Sequence, residues 1–221
     1  MTTIDILNIL GEELPIEKFR FVKFSQWKLI QEYLPVTETN IKLITESSVL
    51  SDNNGLPFWD AALLVSSNSK EWNRDLISFA NHHNPIKDDF WIDANRVASL
   101  NEGDNENIGI NSLVESENGI FSHIPMLDFH LSISENGKDL VKNVINQIGF
   151  TSGYIINSGK SYHFIGDVLI TETQLIDFLS KSILFGPITD TRWIAHQLLE
   201  RSCTLRIGKK NGILPFVISK L

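Results

Sequence analysis

The stretch MLDFHLSISENG (Met126–Gly137) decides how this chain reads. Its apolar residues alternate with Asp128 and His130, the period of a β-strand with one buried face. It then ends in a polar turn, and a short way on comes INSGKSYHFIG (Ile156–Gly166), a second apolar run broken by Ser158, Gly159 and Lys160 and carrying His163. Strand alternation over Ile124–Ser132 places Met126, Asp128, His130 and Ser132 on an open face, and Leu127, Phe129 and Leu131 in the core. The strand rise then separates Asp128 from His130 by about 7 Å, close enough to share a cation.

Outward from this pair the elements follow from periodicity. Leu140, Val141, Val144, Ile145 and Ile148 predict a helix over Lys138–Ile148 with one apolar face. Gly153–Asn157 and Ser161–Ile170 read as two strands joined at Ser158–Gly159–Lys160. Thr171 with Gln174 forms a capping box that opens a helix to about Leu184. Thr189 or Asp190 caps another helix through Arg201, with Ile194, Ala195 and Leu198 inward. TLRIGKKNGILPFVI (Thr204–Ile218) reads as a closing hairpin with Asn211–Gly212 at its turn.

The first half carries fewer signals. FRFVKF (Phe19–Phe24) and DDFWIDA (Asp88–Ala94) read as strands, and LPFWDAALLVSS (Leu56–Ser67) as a buried one. NSKEWNRDLISFANHHN (Asn68–Asn84) predicts a helix. TESSVLSDNNGLP (Thr45–Pro57) and NEGDNENIGINSLVESENG (Asn101–Gly119) read as loops. The order of elements predicts an α+β fold: a mainly antiparallel sheet with helices packed on one face, plus an N-terminal α/β portion. Residues 1–120 are read as that portion and 121–221 as the motif-bearing sheet, the two as one continuous domain.

Composition sets the limits. The 221 residues are 42% apolar and 21% charged, an ordinary globular profile. No apolar run is long enough to cross a bilayer, and the acidic N-terminal stretch lacks the basic start of a signal peptide, so a cytoplasmic protein is expected. The single cysteine, Cys203, excludes an internal disulfide and a cysteine zinc site. The net charge of −8 is uneven: residues 1–136 hold 9 Lys/Arg against 21 Asp/Glu, and residues 137–221 hold 10 against 6. The basic C-terminal part leaves contact with phosphates open.

The chemistry of the motifs converges on phosphate and metal. A carboxylate at Asp128 suits Mg²⁺ or Mn²⁺, and an imidazole beside it shifts preference toward Mn²⁺ or Zn²⁺. The Ser158–Gly159–Lys160 turn offers backbone N–H groups, a hydroxyl and an ammonium to a phosphate, and His163 points toward the same place.

On these residues the chain resembles the archaeo-eukaryotic primase-polymerase superfamily. Its pattern is a strand with two acids one residue apart, a helix, an S-x-H strand, and a third carboxylate beside a basic segment. MLDFH stands for the first motif, with Asp128 as the first acid and His130 where the second usually lies. NSGKSYHFIG matches the second motif, and GPITDTRWIAHQLLERSCTLRIGKKNG (Gly186–Gly212) looks like the third region.

The resemblance implies an RRM-like sheet. It implies metal ligation by Asp128 and His130, and a catalytic set of Asp128, His130 and Asp190, although a strict alignment of the helix puts the third acid nearer Phe185. Ser158, Gly159, Lys160, His163 and Arg206 would bind the nucleotide. A nucleoside triphosphate, Mn²⁺ or Mg²⁺, and a DNA or RNA template would be the partners of a metal-dependent nucleotidyltransferase in replication or repair; no membrane is involved.

Two other readings stand beside this one. A catalytically inactive nucleotide-binding module would keep the fold and the Ser158–His163 segment without the second acid. HLSIS (His130–Ser134) also fits the strand motif of 2H phosphoesterases, which need a second copy; HFIGD at His163 has Ile165 where Ser or Thr is required. His82 and His83 read as complements to a helix C-terminus. Asp93 reads as strand-edge solvation, Trp59, Trp72, Trp91 and Trp193 as core. Arg192, His196 and Lys209–Lys210 read either as an ordinary helix face or as a nucleic-acid track.

Overall fold

A computed structural model describes residues 1–23, 37–56, 58–66, 89–100, 108–209 and 212–221. The chain forms two compact units, Met1–Val22 with Asp89–Leu221, and Lys23–Asp88. Residue 120, where the sequence divides an N-terminal portion from the motif-bearing one, lies in the turn between two paired strands of the first unit.

The first unit is α+β with two antiparallel sheets. One contains β1 (Lys18–Lys23), β2 (Asp89–Asp93), β3 (Ile108–Glu115) and β4 (Phe121–His123) in the order β2-β1-β3-β4, with β8 (Thr204–Arg206) also pairing β3. The other runs β5 (Met126–Asp128), β7 (Tyr162–Ile165), β6 (Tyr154–Asn157) and β9 (Phe216–Lys220). The helices are α1 (Thr3–Glu13), α4 (Glu135–Ile148), α5 (Glu172–Ile183) and α6 (Thr191–Glu200), with a 3₁₀ turn at Ala94–Ser99. The second unit holds α2 (Glu38–Asn54) and α3 (Phe58–Ser66), which pack on each other.

Several expectations hold. The β1 and β2 strands pair antiparallel, with Phe21 stacked on Phe90 at 5.6 Å. β6 and β7 form the hairpin through Ser158–Lys160. Thr171 and Gln174 make their reciprocal capping box at the start of α5, and Asp190 caps α6. Gly149 closes α4 at φ 108°, a left-handed position that glycine adopts without a Cβ clash.

Other expectations are corrected. Ile124–Ser132 is not one strand: Pro125, with no N–H to donate, breaks it, and the chain passes there from β4 in one sheet to β5 in the other. The open face expected at Met126 is covered, and Met126 is fully buried. Ser161–Ile170 is ordered as a strand only to Ile165. Thr204–Ile218 is not a hairpin, because β8 pairs β3 and β9 pairs β6. Ile108–Glu115, read within a loop, is a strand with its first five residues buried.

Thr45–Asn54 belongs to α2, where the Thr45 and Ser47 hydroxyls donate to the carbonyls of Ile41 and Leu43 one turn back. Phe58–Ser66 is a helix, not a strand. A short apolar run is ambiguous in period, and Ala61–Ala62 favours the helix. On the helices, Leu140 and Ala195 point outward, and Gln197 takes the inner position. Trp91 is 37% exposed rather than core. The helix expected over Asn68–Asn84, with Trp72, His82 and His83, lies outside the described residues, as does Lys210.

Beneath the first sheet, polar side chains are buried in pairs. Asn111 donates to Ser202 and Thr204 hydroxyls, and the Trp193 indole donates to the Thr204 carbonyl. Gln197 accepts from the Thr204 N–H, so both backbone polar groups of Thr204 join β8 to α6. The Ser112 hydroxyl meets His123 Nδ1 at 3.0 Å and accepts from the Cys203 N–H.

Burial lowers the His123 pKa to about 4, with the nearby Glu172 carboxylate opposing the shift and Arg20 reinforcing it. Burial likewise pushes the Cys203 thiol up, so it stays protonated and unreactive.

His123 therefore stays neutral in the fold where the unfolded chain would take up a proton. Its contribution is present above the unfolded value near 6.5 and is lost as pH falls toward 4, about 3 kcal/mol at most. Urea denaturation at pH 7 and pH 4.5 should show a smaller acid loss in His123→Gln than in the wild type. An equal loss in both would place the acid sensitivity elsewhere.

Candidate nucleotide site

Cross-strand register assembles this site. In the β5–β7 pairing Asp128 stands directly opposite His163, which in turn stands opposite Ile156 on β6. Opposed residues in an antiparallel pair share a face, so Asp128 and His163 are neighbours. His163 Nε2 lies 3.6 Å from Asp128 Oδ1, within ion-pair distance and beyond a good hydrogen bond. The His163 side chain is 8% exposed and that of Asp128 23%, so the pair opens to solvent from the aspartate side.

The segment after α5 supplies the other flank. Phe129 bridges Thr189, the His130 N–H donates to the Ile188 carbonyl, and the Asp190 N–H donates to the Asp128 carbonyl at 3.0 Å. Residues 188–190 thus line β5 on the side away from β7, and Asp190 is brought opposite Asp128. Its carboxylate is committed elsewhere in part: Oδ1 accepts from the Trp193 N–H and caps α6. His130 lies past the end of β5 and is exposed. Among the described residues, no three or more His, Cys, Asp or Glu side chains are grouped to hold a metal ion.

The Ser158–Ser161 turn closes the β6–β7 hairpin beside His163. Its Gly159 takes φ 107° and donates its N–H to Asn157 Oδ1, while Ser158 donates its N–H to the Ser161 carbonyl. Two of the N–H groups expected to face a phosphate are therefore spent within the turn. Lys160 is exposed at its tip.

Arg206 reaches in from β8: one guanidinium nitrogen donates to the Ser158 carbonyl at 2.7 Å and the other to the Gly208 carbonyl. Burial lowers its pKa, and the Asp128 carboxylate opposes that shift by favouring the charged form. An arginine stays protonated regardless.

A family model, archaeo-eukaryotic primase 1D-like, matches residues 87–215, more than half of the chain and every residue of this site. The chain belongs to this primase-like family. No curated protein and no solved structure was found to match it. The α+β fold with antiparallel sheets agrees with the primase-like assignment. Among the described residues no helix is long and apolar enough to cross a membrane.

Within the primase-like site, the structure joins Asp128 to His163, brings Arg206 to the Ser158 turn, and sets Asp190 beside Asp128 through the backbone. It leaves His130 outside the strand. The HLSIS pattern is broken in the same way, because residues 131–134 run out of β5 toward the α4 cap. His196 is buried in α6, so only Arg192 of that pair faces outward.

Sequence reading missed the clasp that holds this loop. Tyr162 Oη donates to the Ser134 carbonyl and accepts from the Ser134 N–H, while the Ser134 hydroxyl caps α4 through Gly137. Asn157 was missed too, though Asn-Ser-Gly is a readable turn signal.

The clasp leaves no room at Gly137, where a Cβ would sit 2.9 Å from both Tyr162 Oη and Ser134 Oγ. Gly137→Ala should cost about 1–3 kcal/mol in urea denaturation, despite the better helix propensity of alanine. A neutral or stabilising outcome would mean the clasp is loose.

Proposed function

We propose that this primase-like protein binds a nucleoside triphosphate at the β5–β7 end of the second sheet together with one divalent ion, Mn²⁺ or Mg²⁺. Lys160 and His163 grip the phosphates, Ser158 and Gly159 shape the turn, and Arg206 supports it from β8. The observation that carries this reading is the register pairing of Asp128 with His163 next to that turn, inside the family-matched region.

The charges explain why an ion belongs in the scheme. A lone carboxylate at Asp128 repels a triphosphate, and a divalent ion between them reverses the sign. Mg²⁺ is commonly held by one or two carboxylates plus the substrate's own phosphates, which the Asp128 site fits.

Among the described residues no three His, Cys, Asp or Glu side chains gather at this point, which favours one ion over two. The Asp190 cap contributes only about 1 kcal/mol, and a carboxylate has further lone pairs, so capping does not bar it from an ion. His130 would add a neutral donor and favour Mn²⁺. Nucleotidyl transfer on a DNA or RNA template is the activity such a site serves once a second carboxylate joins Asp128. His130 in the position of the second acid, exposed beyond the end of β5, favours the second reading, a nucleotide-binding module without synthesis.

Calorimetric titration with ATP and dATP, with and without Mn²⁺, tests this. Lys160→Ala and His163→Ala should each weaken binding about tenfold. Asp128→Ala should abolish the Mn²⁺ dependence without weakening metal-free binding. Equal affinities in all four proteins would reduce the turn to a plain hairpin. Primer-extension assays on wild type and His130→Asp then separate the readings: synthesis that rises in the variant supports transfer, and none in either supports the binding module.

A further inference from the structure

Arg206 makes contacts that a simple phosphate ligand would not. It lies on β8, opposite Gly109 of β3, and so belongs to the first sheet. Its guanidinium crosses to the second sheet, where it donates to the Ser158 carbonyl, and it donates back to the Gly208 carbonyl of its own segment. Its strand is well anchored, because Thr204, two residues earlier, is bonded through its carbonyl to Trp193 and through its N–H to Gln197 of α6. The same α6 begins at Asp190, whose N–H is bonded to Asp128. One hydrogen-bonded assembly thus runs from the carboxylate side of the site through α6 and β8 to the turn.

We infer that Arg206 is a positioning residue: its planar fork ties the Ser158–Ser161 turn to the β8 segment and sets the turn's shape before any ligand arrives. It acts through the Ser158 carbonyl rather than by touching phosphate. Lysine cannot replace it, since a single ammonium lacks the rigid fork that spans two carbonyls. The consequence for affinity rests on the triphosphate reading of the turn; the consequence for the turn itself does not.

The test compares wild type, Arg206→Lys and Lys160→Ala as full chains. In ligand-free protein, hydrogen exchange of the Ser158 and Gly159 amides should be about tenfold faster in Arg206→Lys, with the amides of α1 unchanged. Titration with ATP and Mn²⁺ at several salt concentrations should show Arg206→Lys about tenfold weaker with an unaltered salt dependence. Lys160→Ala should flatten that dependence, because it removes a charge contact.

Wild-type exchange at the turn, or affinity rescued by lysine, would overturn the inference. So would loss of salt dependence in Arg206→Gln, which removes the charge and serves also should the lysine variant not fold. If the wild type binds no triphosphate, the proposed function falls and the exchange measurement alone decides the role of Arg206.

Discussion

The structure of the site depends on three residues, Asp128 to His130, being held on both sides by backbone hydrogen bonds. The Phe129 N–H donates to the Tyr162 carbonyl on one side, while the His130 N–H and Asp128 carbonyl pair with Ile188 and Asp190 on the other. The Phe129 side chain is buried in the core, so this short segment can neither slide nor turn over without exposing it. A slip of one residue would flip every side chain to the opposite face. Asp128 would then leave His163, and the candidate site would no longer exist. Register, more than any side-chain contact, makes these residues neighbours.

A second constraint comes from buried polar groups. Asn111, Ser112, His123, Gln197, Ser202 and Thr204 are all buried where apolar residues would cost less desolvation. Each is hydrogen-bonded, and left unpaired each would cost about 1–3 kcal/mol. Such a set contributes little net stability when satisfied, yet penalises any alternative packing of α6 and β8 heavily. This matters because α6 and β8 deliver Asp190 and Arg206.

The sequence was informative where local chemistry decides structure. The capping residues Thr171 and Asp190, the β6–β7 hairpin and the β1 and β2 strands were all legible from spacing. The antiparallel α+β class was legible from element order. Long-range pairing was not. Nothing local says that β8 joins β3 while β9 joins β6, and nothing in ITD says that Thr189 will bridge Phe129. Thr45 and Ser47 misled because their hydroxyls bond the helix's own carbonyls instead of a turn. The adjacency of Asp128 and His163 was legible from strand parity, but parity failed one step later: Pro125 and the exit toward Ser134 shorten β5 and leave His130 outside it.

The competing demands on Asp190 bear on what a primase-like fold can become. A residue that both caps a helix and lies opposite Asp128 serves structure at low energy, because one cap is worth about 1 kcal/mol and one lone pair. Metal ligation by the same carboxylate would draw on its remaining oxygen, with the capping bond fixing its orientation. Capping therefore pre-orients the group as much as it occupies it. What β5 lacks is a second carboxylate, and the exposed His130 sits beyond the end of the strand. The carboxylates of Asp128 and Asp190 stand on one side of the site and the exposed Lys160 at the tip of the turn, while the Arg206 guanidinium is engaged by the Ser158 and Gly208 carbonyls. On the proposed reading, a triphosphate adds negative charge beside these carboxylates, and a divalent cation between them restores the balance.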